Sequence, residues 1–366
     1  MLIVKRGETT DENTFHLGRA HAVDHLWVAL HGANRVVIVM PVRNGNGSCF
    51  YPTTSGRERE LGQFLAEHLK APYVQTFEVG DGTLNVLLRW SETPRVVFCS
   101  HLDTVPPYIP PTFREDRVLG RGTCDAKGQF YAMYRACQRL AEAGHRDFAL
   151  LVVSGEETGS WGAKAFAKTG FRAPLLVVGE PTDNCMVSAS KGTKRFNLTF
   201  RGKAFHSGYP EHGLSAVELF VDFMNALRGA GFPEDPELGA TTWNVGHLVS
   251  DNPQNILSPE LTCRLYFRTT FASDALVEEW MRARACDTLQ VVEFGGDAPA
   301  HYYTLPGFPT KPVAFGSDAP HLNGFTHKVI CGPGSITVAH RDDEFLSLAD
   351  FEQAINNYVK IYESYH

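Results

Sequence analysis

An α/β core interrupted by a smaller α+β insert is the fold class that this sequence predicts. From about residue 95, short apolar runs alternate with helix-length amphipathic stretches, the order that flanks a sheet with helices. After Pro181 the pattern changes to alternating strand-like segments around one helix, and near Ala300 the first pattern returns. A chain of 366 residues is too long for one small core at about 100–200 residues per domain. The reading therefore places a discontinuous core at residues 1–182 plus 299–366 and the insert at 183–298.

The core elements follow from local pattern. Residues 95–100 (RVVFCS), 148–154 (FALLVVS) and 174–179 (PLLVVG) are continuous apolar runs of strand length, as expected of buried strands. Residues 126–143 carry apolar side chains at helical spacing. Each strand ends in a polar cluster, and open α/β sheets place ligands in the crevice at the carboxyl ends of their strands. In the insert, strands are expected at 186–190, 195–201, 241–249 and 260–268, with a helix at 214–227. The returning core pattern predicts strands at 313–315 and 328–331 and a closing helix at 348–362. The first 45 or so residues show no clear period, and no internal repeat or low-complexity tract is present.

Composition narrows the function classes. Hydrophobic residues make up 43% and charged residues 20%, the balance of a globular chain. The net charge of −7, with Lys and Arg scattered, lacks the basic stripe of a nucleic-acid binder, so a small-molecule partner is expected. The eight cysteines are spread singly without a CxxC pair, which fits free thiols in a reducing cytoplasm. The opening residues turn polar at once, unlike a signal peptide, and the apolar run at 36–40 is far short of the ~20 residues a membrane span needs, so neither a membrane partner nor export is expected.

The chemistry-bearing residues cluster at strand ends. His101 and Asp103 follow the first strand and alternate onto one side of the chain, so His101 can ligate a metal while Asp103 orients its imidazole. A single His-x-Asp is more often a hydrogen-bonded pair closing a strand. Asp125 ends a glycine-rich turn, GRGTCDAKG at 120–128, where it is equally suited to an N-cap. Glu156 and Glu157 close the second strand, and adjacent carboxylates are costly to bury unless a cation neutralises them, so either a metal or a solvent-exposed edge is expected there. Glu180 ends the third strand, and His340 lies far downstream in a loop. Each signal alone has a bland explanation, but their convergence on one sheet edge does not. Two imidazoles with several carboxylates and no required cysteine suit zinc better than the all-oxygen sites of magnesium or calcium.

The motifs SHLDTVP (100–106), GRGTCDAKG, SGEETGSWGA (154–163), VGEPT (178–182), KGTKRFNLTFRGKAFHSGYP (191–210) and GPGSITVAHRDDEF (332–345) occur in this order. Together they resemble the dinuclear-zinc family of acetylornithine deacetylase, succinyl-diaminopimelate desuccinylase, aminoacylase and the glutamate-releasing carboxypeptidases. The resemblance covers the chain from about Tyr51 to its end. It implies a zinc-peptidase-like catalytic domain with an inserted lid and dimerisation domain, and two divalent ions, zinc first, with cobalt or manganese as alternatives. Asp125 would bridge them, with His101 and Glu180 completing one site and Glu157 and His340 the other. Glu156 would be the general base and Asp103 the partner of His101. The resemblance also implies a homodimer in which His206 reaches the partner's site to stabilise the oxyanion. Asn255 and Arg268 match positions that bind a substrate carboxylate, and Gly316-Ser317-Asp318 resembles a substrate-facing loop.

Two stretches depart from the family pattern. The sequence before Tyr51 does not read as the usual opening helix, and residues 105–120 are proline-rich where many relatives carry Trp-x-x-x-Pro-Phe. The activity implied first is deacylation of a small N-acyl amino acid in the manner of acetylornithine deacetylase. A dipeptidase or carboxypeptidase on the same scaffold comes second. A catalytically silent metal or amino-acid binder would have lost its base or a ligand, and this chain keeps Glu156 and all five expected ligands. A nucleotide-phosphate cradle at GRGTCDAKG is excluded, because the segment matches neither the P-loop nor the dinucleotide fingerprint.

Overall fold

In a computed structural model, residues 53–80 and 82–366 are described. The expectation for the first 45 residues and the departure before Tyr51 lie outside them. Helix α1 (Arg59–His68) is followed by strands β1 (Tyr73–Gly80), β2 (Thr83–Arg89) and β3 (Val96–His101), then the short β4 (Thr112–Phe113) and β5 (Arg117–Leu119). Next come α2 (Lys127–Glu142), β6 (Phe148–Val153), α3 (Trp161–Ala167), β7 (Ala173–Val178) and β8 (Met186–Ser190). The three expected core strands thus form within one residue of their sequence limits.

The remaining order is β9 (Gly192–Arg201), α4 (Ala216–Arg228), β10 (Thr242–Val249), β11 (Glu260–Thr269), α5 (Asp274–Arg282) and β12 (Leu289–Glu293). The chain closes with β13 (Ala300–His301), β14 (Thr310–Val313), β15 (Phe325–Ile330), β16 (Phe345–Ser347) and α6 (Leu348–Ser364). Ser347 caps α6, its hydroxyl accepting from Asp350 N at 3.0 Å, and Ser215 caps α4 in the same way through Glu218 N at 3.4 Å.

The main sheet has six strands in the order β1-β2-β6-β3-β7-β15. β6, β3, β7 and β15 run parallel, while β2 is antiparallel to β6 and to β1. Every residue of β3 and β6 is buried, because helices cover both faces, which explains the unbroken apolar runs. Val97, Cys99, Leu151 and Leu176 pack with Phe166 of α3 on one face. On the other, Phe98 meets Tyr358 of α6 with ring centroids 5.8 Å apart, and Tyr131 of α2 stacks on Phe351 at 5.7 Å. Phe98 is wholly buried, so Phe98→Ala is expected to lower the unfolding free energy by about 3–5 kcal/mol, read from urea denaturation. A loss under about 1 kcal/mol would show that the sheet is not packed this tightly.

Residues 192–293 build a separate antiparallel sheet, β10-β11-β9-β12, with its own apolar core. Phe196, Leu198 and Phe200 alternate inward from β9 onto Phe223, Met224 and Leu227 of α4 and Val277 and Met281 of α5. One element assigned to the insert belongs elsewhere. β8 pairs with β13 and β14, from the part of the chain after residue 298, and not with the four-stranded sheet. β14 also differs from the expected 313–315. It ends at Val313, with an irregular register around Pro312, which has no N–H to donate, and Phe315 packs as a loop residue on the main core. Elements α1, β1, β2, β4, β5, α3, α5, β12, β13 and β16 are additional to those read from local pattern. Every cysteine among the described residues is free, and no described helix is long and apolar enough to cross a membrane.

Candidate metal centre

The parallel strands deliver their carboxyl ends to one edge. β3 ends at His101, β6 leads directly into Glu156 and Glu157, and β7 leads into Glu180. Leu102 N donates to Val153 O at 2.8 Å and Gly179 N to Cys99 O at 2.8 Å, so the ladder continues past the strand ends and holds these residues in register.

His101 is buried, with Nδ1 3.0 Å from the Asp103 carbonyl and 3.3 Å from its Oδ1. Its Nε2 lies 3.1 Å from Asp125 Oδ1. One ring nitrogen is thus tied to the chain while the other faces the site, the way a carboxylate behind a metal-binding histidine fixes its ring. The Asp103 carboxylate also accepts from Glu156 N at 3.0 Å, Glu157 N at 3.1 Å and the Ser55 hydroxyl at 2.7 Å. It therefore ties the His101 strand end to the turn that carries the two glutamates.

Asp125 reaches the same edge from the glycine-rich turn. Gly122 sits there at φ +83°, a conformation glycine adopts without strain. A Cβ on Gly128 would lie 2.2 Å from Thr123 O, so only glycine lets the start of α2 pack on this turn. The second oxygen of Asp125 is 3.1 Å from His340 Nε2, which in turn is 3.0 Å from Glu157 Oε1. One carboxylate is shared by two donor sets. His101, Asp125 and Glu180 offer atoms within 4.8 Å of one another, and so do Asp125, Glu157 and His340.

The electrostatics show what such a set needs. Burial pushes the Glu156 and Glu180 carboxyls well above the usual range, and the neighbouring carboxylates push in the same direction. Burial would depress His101, yet its bonds to Asp103 and Asp125 raise it well above an ordinary imidazole. His340 is pushed up to about 10, first by its bonds to Asp125 and Glu157. For Asp125 burial is outweighed by the two histidines, which hold its carboxyl low. Glu180 Oε1 is buried without a hydrogen-bond partner. Negative groups in excess of the histidines, an orphaned buried carboxylate oxygen and imidazole nitrogens turned inward fit divalent cations, and the mixed N/O donor set fits zinc.

The other expected residues fall in three places. Asp318 is buried, its Oδ1 unpartnered, and burial lifts its carboxyl to about 6. Its charge adds to the upward push on the Glu156 and Glu180 carboxyls. Ser317 is buried beside it and accepts from Ala319 N at 3.3 Å. Arg268 is half-buried, with its guanidinium over the Tyr266 ring at 4.9 Å and close beside Gly316, so β11 and the Gly316-Ser317-Asp318 loop meet. His206 and Asn255 are exposed and share one paired segment of the insert, where His206 bridges Ile256 and Ser207 N donates to Asn255 O at 2.9 Å.

Four further groups around the site come only from the structure. Glu58 is buried and accepts from Gly155 N at 3.1 Å, and Ser55 contacts Asp103. Neither stands in a motif or periodic segment, so no sequence signal marks them. Lys127 is buried, lowered to about 8 by that burial against the opposing charges of Asp103, Glu344, Glu58 and Asp125. Lys127 and Glu344 do stand inside quoted motifs, but residue type alone does not say which motif positions face inward.

Comparison with known proteins agrees with this geometry. The model of peptidase family M20/M25/M40 matches residues 97–364. A peptidase M20 domain-containing protein of Schizosaccharomyces pombe is 32% identical over 323 residues, covering 84% of this chain and 80% of that protein. A probable carboxypeptidase of Emericella nidulans is 31% identical over 363 residues, covering 85% of this chain and 86% of the relative. The crystal structure of a tripeptidase from Staphylococcus aureus shares the fold, with a TM-score of 0.68 at 18% identity, over 85% of this chain and 94% of that one. The match over most of the length, together with two donor clusters sharing Asp125, shows that the chain belongs to peptidase family M20/M25/M40 and is a metal-dependent hydrolase of peptide or amide bonds.

Proposed function

We propose that this enzyme cleaves the amide bond adjoining a free C-terminal carboxylate in short peptides, using two divalent ions, with zinc the natural occupant. The observation that carries this reading is the sharing of Asp125 between two donor clusters, with the Glu156 carboxyl beside them and outside both. Relatives named as probable carboxypeptidases favour a peptide substrate over the acetylornithine-type deacylation that the motifs suggest first. Deacylation of N-acyl amino acids is the second reading, since such a substrate also presents an amide next to a free carboxylate.

His101, Asp125 and Glu180 would hold one ion, and Asp125, Glu157 and His340 the other. Bound there, the ions would polarise the scissile carbonyl and make water acidic enough to attack near neutral pH. Glu156 takes the proton from the attacking water as its oxygen bonds to the carbonyl carbon. The same carboxyl returns that proton to the amide nitrogen as the C–N bond breaks, so a carboxylate and a free amine leave. Asp103 keeps His101 in its ligating orientation. Arg268 receives the substrate carboxylate, the Gly316-Ser317-Asp318 loop beside it faces the substrate, and Asn255, which shares the His206 segment, would reach the partner's substrate with it.

A homodimer through the insert accompanies this proposal. The edge strand β10 exposes Leu248 and Val249, and α4 exposes Val217 and Val221, apolar side chains that a second copy would cover. His206, on its exposed loop, would then donate to the developing oxyanion in the partner's site. The free, mostly buried cysteines accord with a reducing, cytoplasmic setting.

The test is zinc content with amine release from a panel of dipeptides, N-acetyl and N-succinyl amino acids, and C-terminally amidated peptides. Dipeptides should be cleaved best and amidated peptides poorly. Arg268→Ala is expected to raise KM for carboxylate substrates by about 10–100-fold, the weight of a charge-assisted hydrogen bond, with kcat little changed. Equal cleavage of free and amidated peptides would remove the carboxylate requirement, and preference for acetylated amino acids would move deacylation to first place.

A further inference from the structure

Glu344 lies four residues beyond His340, just before β16, and its side chain is wholly shielded from solvent. We propose that Glu344 is a positioning residue which, with Arg121, clamps the Asp125 turn to the His340 loop so that one carboxylate can serve both metal sites. The inference rests on the metal-binding reading of those two clusters.

The contacts converge from both loops. Glu344 Oε1 accepts from three backbone N–H groups of the Asp125 turn: Gly122 at 2.9 Å, Cys124 at 3.0 Å and Asp125 itself at 3.1 Å. Its other oxygen accepts from Arg121 Nη1 at 2.7 Å. Arg121 then reaches the second loop, donating from Nη1 to Arg341 O at 3.1 Å and from Nη2 to His340 O at 3.3 Å. A closed path thus runs from the peptide N–H of Asp125 through one carboxylate and one guanidinium to the peptide carbonyl of His340. The main chain locks the same junction, since Gly120 N donates to Glu344 O at 2.8 Å and Phe345 pairs with Leu119.

Chemistry explains why a carboxylate stands here. Three converging N–H dipoles and a guanidinium form a buried positive concavity, and each would be costly to leave unpaired. Arg121 has side-chain exposure of 2% and Glu344 of 0%, so water cannot substitute for either. A glutamine could keep the three N–H bonds but would turn an NH₂ toward the Arg121 guanidinium, opposing donor to donor. Metal sites demand ligand placement within about 0.5 Å, so loosening this clamp should appear first in metal affinity.

The experiment measures zinc dissociation constants by chelator competition and the absorption spectrum of the cobalt-substituted protein. It uses wild type, Glu344→Gln and Arg121→Lys, with thermal unfolding of each after metal removal. The expected result is a metal-free stability near that of wild type, zinc affinity weaker by about 10–100-fold, and an altered cobalt spectrum. Turnover should be restored by excess zinc. Zinc affinity within about twofold of wild type in both variants would overturn the proposal. So would variants that fail to fold without metal, since the pair would then serve stability alone. A wild-type protein that binds no zinc would instead overturn the metal reading beneath it.

Discussion

Glu156→Ala is expected to lower kcat by about 10²–10⁴-fold while zinc content stays at the wild-type level. The separation arises from where the residue sits. Glu156 is in neither donor cluster, and its backbone N–H, bound to Asp103 at 3.0 Å, survives the substitution. The turn that presents Glu157 therefore keeps its shape. What is lost is a carboxyl whose burial, with the charges of Asp318, Glu157 and Asp125, raises its proton affinity well above the ordinary range. That shift moves the group toward the working pH of a general base. Glu156→Gln, which keeps the volume, should behave alike. Steady-state kinetics and metal analysis on the same samples decide the matter. A variant keeping more than about a tenth of wild-type kcat would assign the base to another residue.

Asp125→Asn is expected to remove metal from both sites together and to abolish turnover. Its two oxygens face different histidines, each at 3.1 Å, so a single substitution touches both clusters. The amide keeps one acceptor and turns a donor toward the other imidazole. Removing one partner from a buried charged set costs about 3–5 kcal/mol, which corresponds to roughly 10²–10⁴-fold in affinity. Equilibrium dialysis against zinc should find far less than the wild-type content per chain. Full retention of both ions would mean that the carboxylate shared in this structure is not the one that bridges them.

Much of the candidate site was legible because strand ends are marked in the sequence. The runs before His101, Glu156 and Glu180 are wholly apolar, and such strands are buried in parallel sheets whose carboxyl ends form a crevice. Other features left no local mark. β1 is a mostly exposed edge strand with a mixed pattern, so nothing in its composition separates it from a loop. Met186–Ser190 is buried on both faces, and a short strand-like run does not name the sheet that it joins. Its partners are β13 and β14, more than a hundred residues away. Ser55 and Glu58 precede the first recognisable motif and gain their meaning only from Asp103 and Gly155.

The α/β class, the candidate ligand types and the motifs that carry them are legible in the sequence alone, because dihedral preference, burial and side-chain chemistry are properties of short segments. That Asp125 stands between His101 and His340, and that Glu344 lies under the turn presenting it, emerges from packing. Those pairings join residues up to about 220 positions apart. Distance across such a span is set by how the sheet and its loops pack, which no local pattern records.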